Sequence, residues 1–365
     1  MTSRISKIAV LGLLTLAFIW PSVTLATTGN LVFSVWIPYW KKTAAVPETL
    51  AHLDQLNSIS PFSYEVKPDG TLIDRMKITQ APWPDLISAA RAKKITIIPS
   101  ILWTDAQAMQ GNFFNYKKRQ AHIAAIVKVV LVNNFDGIDI DYEGKLAETK
   151  PYFSKFIREL SVALHAKKKI LVCTIEPRTP AASRFDQMPI DLKYANDYAT
   201  LNLACDQVRL MAYDQMNIDL RLNERKGQGA HYAPVADKDW VVKVITLAKQ
   251  SISAKKLVLG IANYGYEFEV TGASGRYTYK KVRAVSYQTF MNLAKTQNIV
   301  PTRNPAGELG FTYLATNGKT RVLSLSDSVA IANRIKIARN FKLAGVALFR
   351  VDPEADPVQW SMFTH

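Results

Sequence analysis

From residue 31 onward the chain alternates between two hydrophobic periods. Short apolar runs at 31–37, 58–64, 95–102, 170–175, 207–213, 257–264 and 345–351 have the length and side-chain types of strands. Between them apolar residues recur three and four positions apart. Ile123, Ile126, Val127 and Val130 form one such stripe, and Phe153, Phe156, Ile157, Leu160 and Leu164 another. This spacing predicts helices with one buried face over 47–56, 82–93, 116–133, 148–166, 237–253 and 326–341, with 190–203 partly helical. An eighth strand, at 135–144, completes the series. Eight strands alternating with helices predict an α/β chain folded as a (β/α)8 TIM barrel. The unit after the seventh strand is too long for a plain crossover. Residues 265–325 hold a strand pattern at 276–282, a short helix near 288–295, and Asn317-Gly318 between two apolar alternations. Asn-Gly in that setting is a hairpin signal, so a small α+β insertion is expected between strand 7 and helix 7.

The stretch 135–144 departs from the others in chemistry. Asp139, Asp141 and Glu143 stand two residues apart, and Ile138, Ile140 and Tyr142 fill the positions between them. Alternation at period 2 puts the apolar residues on one strand face and the three carboxylates on the other. Buried carboxylates are costly unless paired, protonated or solvated in a cleft. A calcium loop is an alternative source of closely spaced acids, but such loops carry Gly and Asn turn residues where this stretch has Ile. The solvent face of an edge strand is a second alternative, and it fits poorly with helices on both sides.

In a barrel of this kind the strand C-termini converge on one face. Glu143 lies at the end of the fourth strand and Tyr213-Asp214 at the end of the sixth. Trp36, Tyr64, Trp103, Glu176, Tyr264 and Phe349 lie at or near the ends of others. Taken singly, each aromatic is ordinary core. As a set they predict a cleft rich in carboxylates and rings, a composition suited to sugars, whose C–H faces pack on aromatics and whose hydroxyls bond to carboxylates.

Composition adds three points. Residues 1–26 read as a targeting segment, with Arg4 and Lys7, an apolar run from Ile8 to Trp20, and the small-residue ending Thr24-Leu25-Ala26. Export is therefore expected, to the outside, the periplasm or the cell wall, with an uncleaved N-terminal anchor as the alternative. Residues 27–365 then form one domain. The formal charge is +16, spread over short pairs such as Lys41-Lys42 and Lys280-Lys281. No nucleic-acid motif accompanies it, so an anionic cell wall is the partner it suggests, beside the plainer reading of a basic soluble surface. The two cysteines, Cys173 and Cys205, are read as buried free thiols, a single bridge being the alternative. The five histidines, His52, His122, His165, His231 and His365, lack metal-ligand spacing, and phosphate-cradling glycine loops are absent. No metal or cofactor is expected.

Asp136, Asp139, Asp141 and Glu143 match the D-x-x-D-x-D-x-E signature of family-18 glycoside hydrolases, the chitinase-type family, and Met211-Ala212-Tyr213-Asp214 matches its M-x-Y-D motif. The chain resembles that family from about residue 31 to residue 360, and the shorter bacterial members in particular. It departs at Ser100-Ile101-Leu102-Trp103, where only Ser100 fits the family's S-x-G-G, and at Phe349, where many members have Trp. The resemblance implies a retaining hydrolase acting at N-acetylglucosamine residues of a polysaccharide or oligosaccharide, chitin or peptidoglycan. Glu143 is then the acid, kept protonated by its neighbour Asp141. Substrate-assisted catalysis is implied, with the acetamido carbonyl as nucleophile. Asp141 would orient the acetamido N–H, Asp139 would share a proton or hydrogen bond with Asp141, Tyr213 would donate to the acetamido oxygen, and Asp214 would hold a hydroxyl. Met211 belongs to the same motif, and Asp136 is assigned a structural role on backbone. A carbohydrate-binding, non-catalytic barrel is the alternative, and the intact Glu143 counts against it. Finally, if Met211 and Tyr213 point inward, so does Arg209, and a buried Arg needs an acid; Asp139 and Asp136 are the candidates. A monomer is presumed.

Overall fold

The computed structural model describes residues 31–364 apart from 186–188, 217 and 274–275; the targeting segment expected at 1–26 lies outside the described residues. Eight strands run in parallel around a closed barrel: β1 (Val32–Pro38), β2 (Ser58–Val66), β3 (Ser100–Trp103), β4 (Gly137–Tyr142), β5 (Ile170–Ile175), β6 (Gln207–Leu210), β7 (Leu257–Ala262) and β8 (Gly345–Phe349). Each pairs with the next, and β8 returns to β1, so no edge is left open. Side chains of alternate parity separate two environments. One set, including Phe33, Val35, Ile37, Ile101, Ile138, Ile140, Leu171 and Cys173, packs against the helices in the main core. The other points into the barrel, where polar and apolar residues mix: Ser34 and Ser58 share a hydrogen bond of 2.7 Å, and Ile98 and Val172 pack together.

The elements follow local rules with a few departures. Asp105, Asn115, Asp197, Asp219, Asp237, Ser286 and Asp327 each cap a helix by accepting a backbone N–H in its first turn. The first helix is Lys42–Ala51, with Pro47 inside it, rather than starting at the proline. The run 95–102 is split, Thr96–Ile97 pairing with β2 ahead of β3, because Pro99 has no N–H to continue a ladder. Helices Ala106–Phe114 and Leu220–Gly227 were not anticipated; their apolar stripes are short.

The insertion is a five-stranded antiparallel sheet with strands in the order Arg276–Val285, Gly265–Ala273, Thr320–Leu325, Leu309–Leu314, Thr302–Arg303, and with helix Tyr287–Thr296 on it. Residues 317–318 form the expected hairpin turn, Gly318 taking φ +73°. Gly265–Ala273 follows β7 so closely that the sequence shows no break. The insertion is locked to the barrel by Glu308. Its carboxylate accepts the backbone N–H groups of Val235 (2.9 Å) and Ala236 (2.8 Å) and sits 3.3 Å from Arg334. Arg334 also donates to the Ala236 carbonyl and, at 3.3 Å, to that of Ala306. The Glu308 and Arg334 side chains are both buried.

The cysteines correct the free-thiol expectation. Cys173 of β5 and Cys205, just after helix Tyr198–Ala204, form a disulfide across 32 residues of chain. Spacing alone carries no signal for it, because the pairing depends on β5 and the approach to β6 lying side by side. Replacing both residues by Ala is expected to cost about 3 kcal/mol, chiefly by freeing the unfolded chain. The measurement is the urea midpoint with and without reductant; a wild-type midpoint indifferent to reductant would show that the bridge does not form.

Candidate active site

β4 carries the centre of the site. Its outward face is anchored by Tyr142, whose hydroxyl lies 2.6 Å from His122 Nε2, while His122 Nδ1 lies 2.7 Å from the Gly70 carbonyl. Burial pushes His122 down to about 4, so the ring is neutral: Nδ1–H donates to the carbonyl and Nε2 accepts from tyrosine. Asp136, before the strand, accepts the Ile97 N–H at 2.8 Å. The inward face carries Asp139 and Asp141.

Asp139 is saturated. Its carboxylate accepts Ser100 Oγ (2.7 Å), Thr174 Oγ1 (2.7 Å), Trp36 Nε1 (3.0 Å) and Arg209 (3.3 Å). Among the described residues no hydrogen bond joins it to Asp141, although its charge helps to raise the Asp141 carboxyl. Arg209 is fully buried, as expected of an inward residue of β6. It bonds Ser60 at 2.7 Å and Asp139, and its guanidinium lies 5.1 Å from the Trp36 ring centre. Polar residues of β1, β3 and β5 satisfy Asp139 and Ser60 of β2 bonds Arg209, but Nε and Nη2 of Arg209 have no hydrogen-bond partner among the described residues.

Asp141 differs sharply. It is buried, and its Oδ1 has no hydrogen-bond partner among the described residues. Burial first, then the charges of Glu143, Asp139 and Glu176, hold its carboxyl well above the usual range, against an opposing pull from Lys145. Glu143 is raised as well, by burial first and then by Glu176, with Asp214 adding to the effect and Lys145 opposing it. Glu143 and Asp141 repel one another, as the sequence suggested, and Glu176 adds to the effect on both.

Glu176, at the end of β5, sits below the usual range. Burial pushes it up, but the Lys145 ammonium outweighs this together with its own N–H, that of Gly144 (2.7 Å) and Asn196 (2.9 Å). It is a fixed anion with most of its lone pairs in use. Lys145 was missed in the sequence. It is buried, 3.5 Å from Glu176, donates to the Tyr142 carbonyl and lies 4.9 Å from the Phe153 ring centre. A lysine two residues past an acid strand is an ordinary surface pattern, and only the fold turns it inward.

The M-x-Y-D segment is a turn, since β6 ends at Leu210 and Asp214 has φ +58°. The turn lifts Tyr213 over the barrel mouth, where its ring stacks on Phe349 (5.6 Å between centres, 9° between planes). Burial keeps the Tyr213 hydroxyl protonated. Asp214 accepts hydrogen bonds from Tyr264 (2.8 Å) and Tyr266 (2.7 Å), and burial raises its carboxyl despite them. Met211 packs beside this group. Tyr266 was missed because its strand belongs to the insertion. Trp36 and Phe349 also face inward, together with the unanticipated Phe62; Trp40, half exposed at the rim, packs on Phe62.

Two expected cleft residues lie elsewhere. Trp103 packs against Phe113, His122 and Tyr142 in the helix layer, because Ser100 takes the inward parity of β3 and Trp103 is three residues on. Tyr64 is turned outward by an irregularity between Phe62 and Tyr64, which shifts the register by one and reverses the faces. Among the described residues no cluster of His, Cys, Asp and Glu is arranged to hold a metal.

Comparison with known proteins bears on this arrangement. The family model for glycosyl hydrolases of family 18 matches residues 35–354. The uncharacterized glycosylase YvbX of Bacillus subtilis is 25% identical over 232 residues, covering 63% of this chain and 61% of that protein, so the match spans less than two thirds of this relative's length. A chitinase from Chromobacterium violaceum superposes with a TM-score of 0.72 at 20% identity, covering 92% of this chain and 98% of that one. The Bacillus cereus spore cortex-lytic enzyme SleL superposes at 0.71 with 19% identity, covering 91% and 73%. At these identities the two structures speak to the fold alone.

Proposed function

The chain belongs to the family-18 glycosyl hydrolases and is a glycosidase, and from that premise we propose that it cleaves β-1,4 bonds at N-acetylglucosamine residues, with retention of configuration and with the substrate's own acetamido group as nucleophile. Glu143 protonates the glycosidic oxygen. Asp141 receives the acetamido N–H and stabilises the positive charge that develops as the ring closes. Tyr213 donates to the acetamido oxygen, and Asp214, fixed by two tyrosines, binds a hydroxyl. Phe349 and Tyr213 offer the apolar floor. The observation that carries this reading is the buried, unpartnered Asp141 Oδ1 beside a raised Glu143, because a buried acceptor with no partner is costly until a ligand donor meets it. Glu176, another carboxylate near this pair, is held by Lys145, Gly144 and Asn196 rather than offered as a conventional nucleophile.

The substrate is chitin-type or peptidoglycan-type glycan, and the place of action is outside the cytoplasm. The Cys173–Cys205 bridge supports an oxidising compartment. Incubation with chitooligosaccharides and purified peptidoglycan in parallel, with the product anomer read by NMR within the first minutes, tests the reading. The β anomer first, from either glycan, is expected; the α anomer first would exclude retention.

Glu176→Gln provides a pH test. The Glu176 anion raises Glu143, so its removal lets Glu143 lose its proton at lower pH. The alkaline limb of kcat/KM is expected to move to lower pH. A limb that stays in place would show that Glu176 does not set the acid.

A further inference from the structure

Beyond the barrel mouth, over the end of β5, the described residues enclose a cavity of about 220 Å³. Lys145 and Glu176, whose charges act on Glu143, line it together with Arg178, Lys193, Tyr194 and Tyr198. The wall is basic. Its one carboxylate among the described residues, Glu176, is already engaged by Lys145, the Gly144 N–H and Asn196.

Arg178 is the organising residue. Its guanidinium lies 4.3 Å from the Tyr194 ring centre and 4.1 Å from that of Tyr198. The two rings orient the group, and its N–H groups make no hydrogen bond among the described residues. It is partly exposed, and among the described residues no carboxylate lies within ion-pair distance of it. A planar, pre-oriented fork without an acid is suited to accept one in two parallel hydrogen bonds. None of the proposed catalytic steps uses it.

We propose that this cavity binds a carboxylate carried by the glycan on the leaving-group side of the bond that is cut, with Arg178 as its main ligand. The proposal rests on the reading of Glu143 as the acid in one respect, the side assigned. Asp141, Tyr213, Asp214 and Phe349 hold the sugar whose bond breaks, and the oxygen that Glu143 protonates joins it to the next sugar, which comes to lie beside the cavity. The substrate class is thereby an acidic aminoglycan, one with a carboxylate-bearing sugar following N-acetylglucosamine, rather than neutral chitin. Lys193 contributes long-range attraction.

The test compares a soluble glycan of alternating N-acetylglucosamine and N-acetylmuramic acid, its lactyl carboxylate free, with the same glycan as its methyl ester. The wild-type kcat/KM ratio of acid to ester is expected at about ten to a hundred, the worth of a hydrogen-bonded charge, and mainly in KM. Arg178→Gln should bring the ratio near one, and Arg178→Lys, which keeps charge without the planar fork, should fall between. A wild-type ratio near one, or a ratio untouched by Arg178→Gln, overturns the proposal. Peptide-bearing strands, in which the lactyl group is an amide, separate the two sources of acid: preference for them over the methyl ester would move the carboxylate to the stem peptide. If no glycan is cut, the proposed function fails on its own, and the subsite is still decided by calorimetry. Glu143→Gln must bind the acid disaccharide more tightly than its ester, with the preference weakened by salt; equal binding overturns it.

Discussion

Glu143→Gln is expected to lower kcat by about a thousandfold while glycan binding stays within a few-fold of wild type. The amide keeps the volume and the neutral charge of the protonated acid, so the cleft is not reshaped. Only the transferable proton is lost. Because burial and Glu176 hold Glu143 above the usual range, the wild-type enzyme keeps that proton to higher pH than an ordinary glutamate would, and its activity falls on the alkaline side as the proton leaves. The variant's residual rate should show no such fall. Paired measurements of kcat and of equilibrium binding decide the matter. Turnover above a tenth of wild type would place the acid elsewhere, and loss of binding along with turnover would make Glu143 a structural residue.

Asp141→Asn should cost about a hundredfold or more in kcat/KM, and its partner in the test is the substrate. If Asp141 acts through the acetamido group, wild type should lose a comparable factor on a glycan deacetylated at the reacting sugar. The variant should then lose little more on that glycan, since the two changes remove one interaction from opposite sides. Fully additive losses would separate Asp141 from the acetamido group. The structure makes this pair informative because Asp141 has so little else to do: Asp139 is bound by Ser100, Thr174, Trp36 and Arg209, whereas Asp141 Oδ1 has no partner among the described residues.

Most of the barrel was legible because its strands and helices obey two clean periods. The acidic strand was legible because three carboxylates at period 2, with Ile and Tyr between them, suit an inward strand face far better than a loop or a solvated surface. Parity carried further than strand ends did. Ser100, Asp139 and Arg209 follow from alternation within their strands, while Trp103 was misplaced by its position at a strand end when its parity with Ser100 already turned it away. Tyr64 was lost to a register irregularity, and no pattern in Pro61-Phe62-Ser63-Tyr64 announces one. Lys145, Tyr266 and Arg178 were illegible for another reason. Each matters through a neighbour from a distant element: Glu176, Asp214, or the rings at 194 and 198. The disulfide belongs to the same class, as two cysteines become a pair only when strand order brings them together.

The Glu308 lock bears on any attempt to trim the enzyme. Joining β7 directly to helix Ser328–Asn340 would look like the removal of an accessory lobe, giving a shorter barrel with every strand intact. It would also take away the carboxylate on which Val235 N–H, Ala236 N–H and Arg334 all converge, and with it Tyr266, one of the two tyrosines on Asp214. Such a miniature would leave without their acceptor two backbone donors of the loop that follows the turn bearing Tyr213 and Asp214, and the Arg334 cation of the retained helix. The insertion is a keystone of that turn, and a minimal scaffold derived from this protein must either retain it or supply three acceptors in its place.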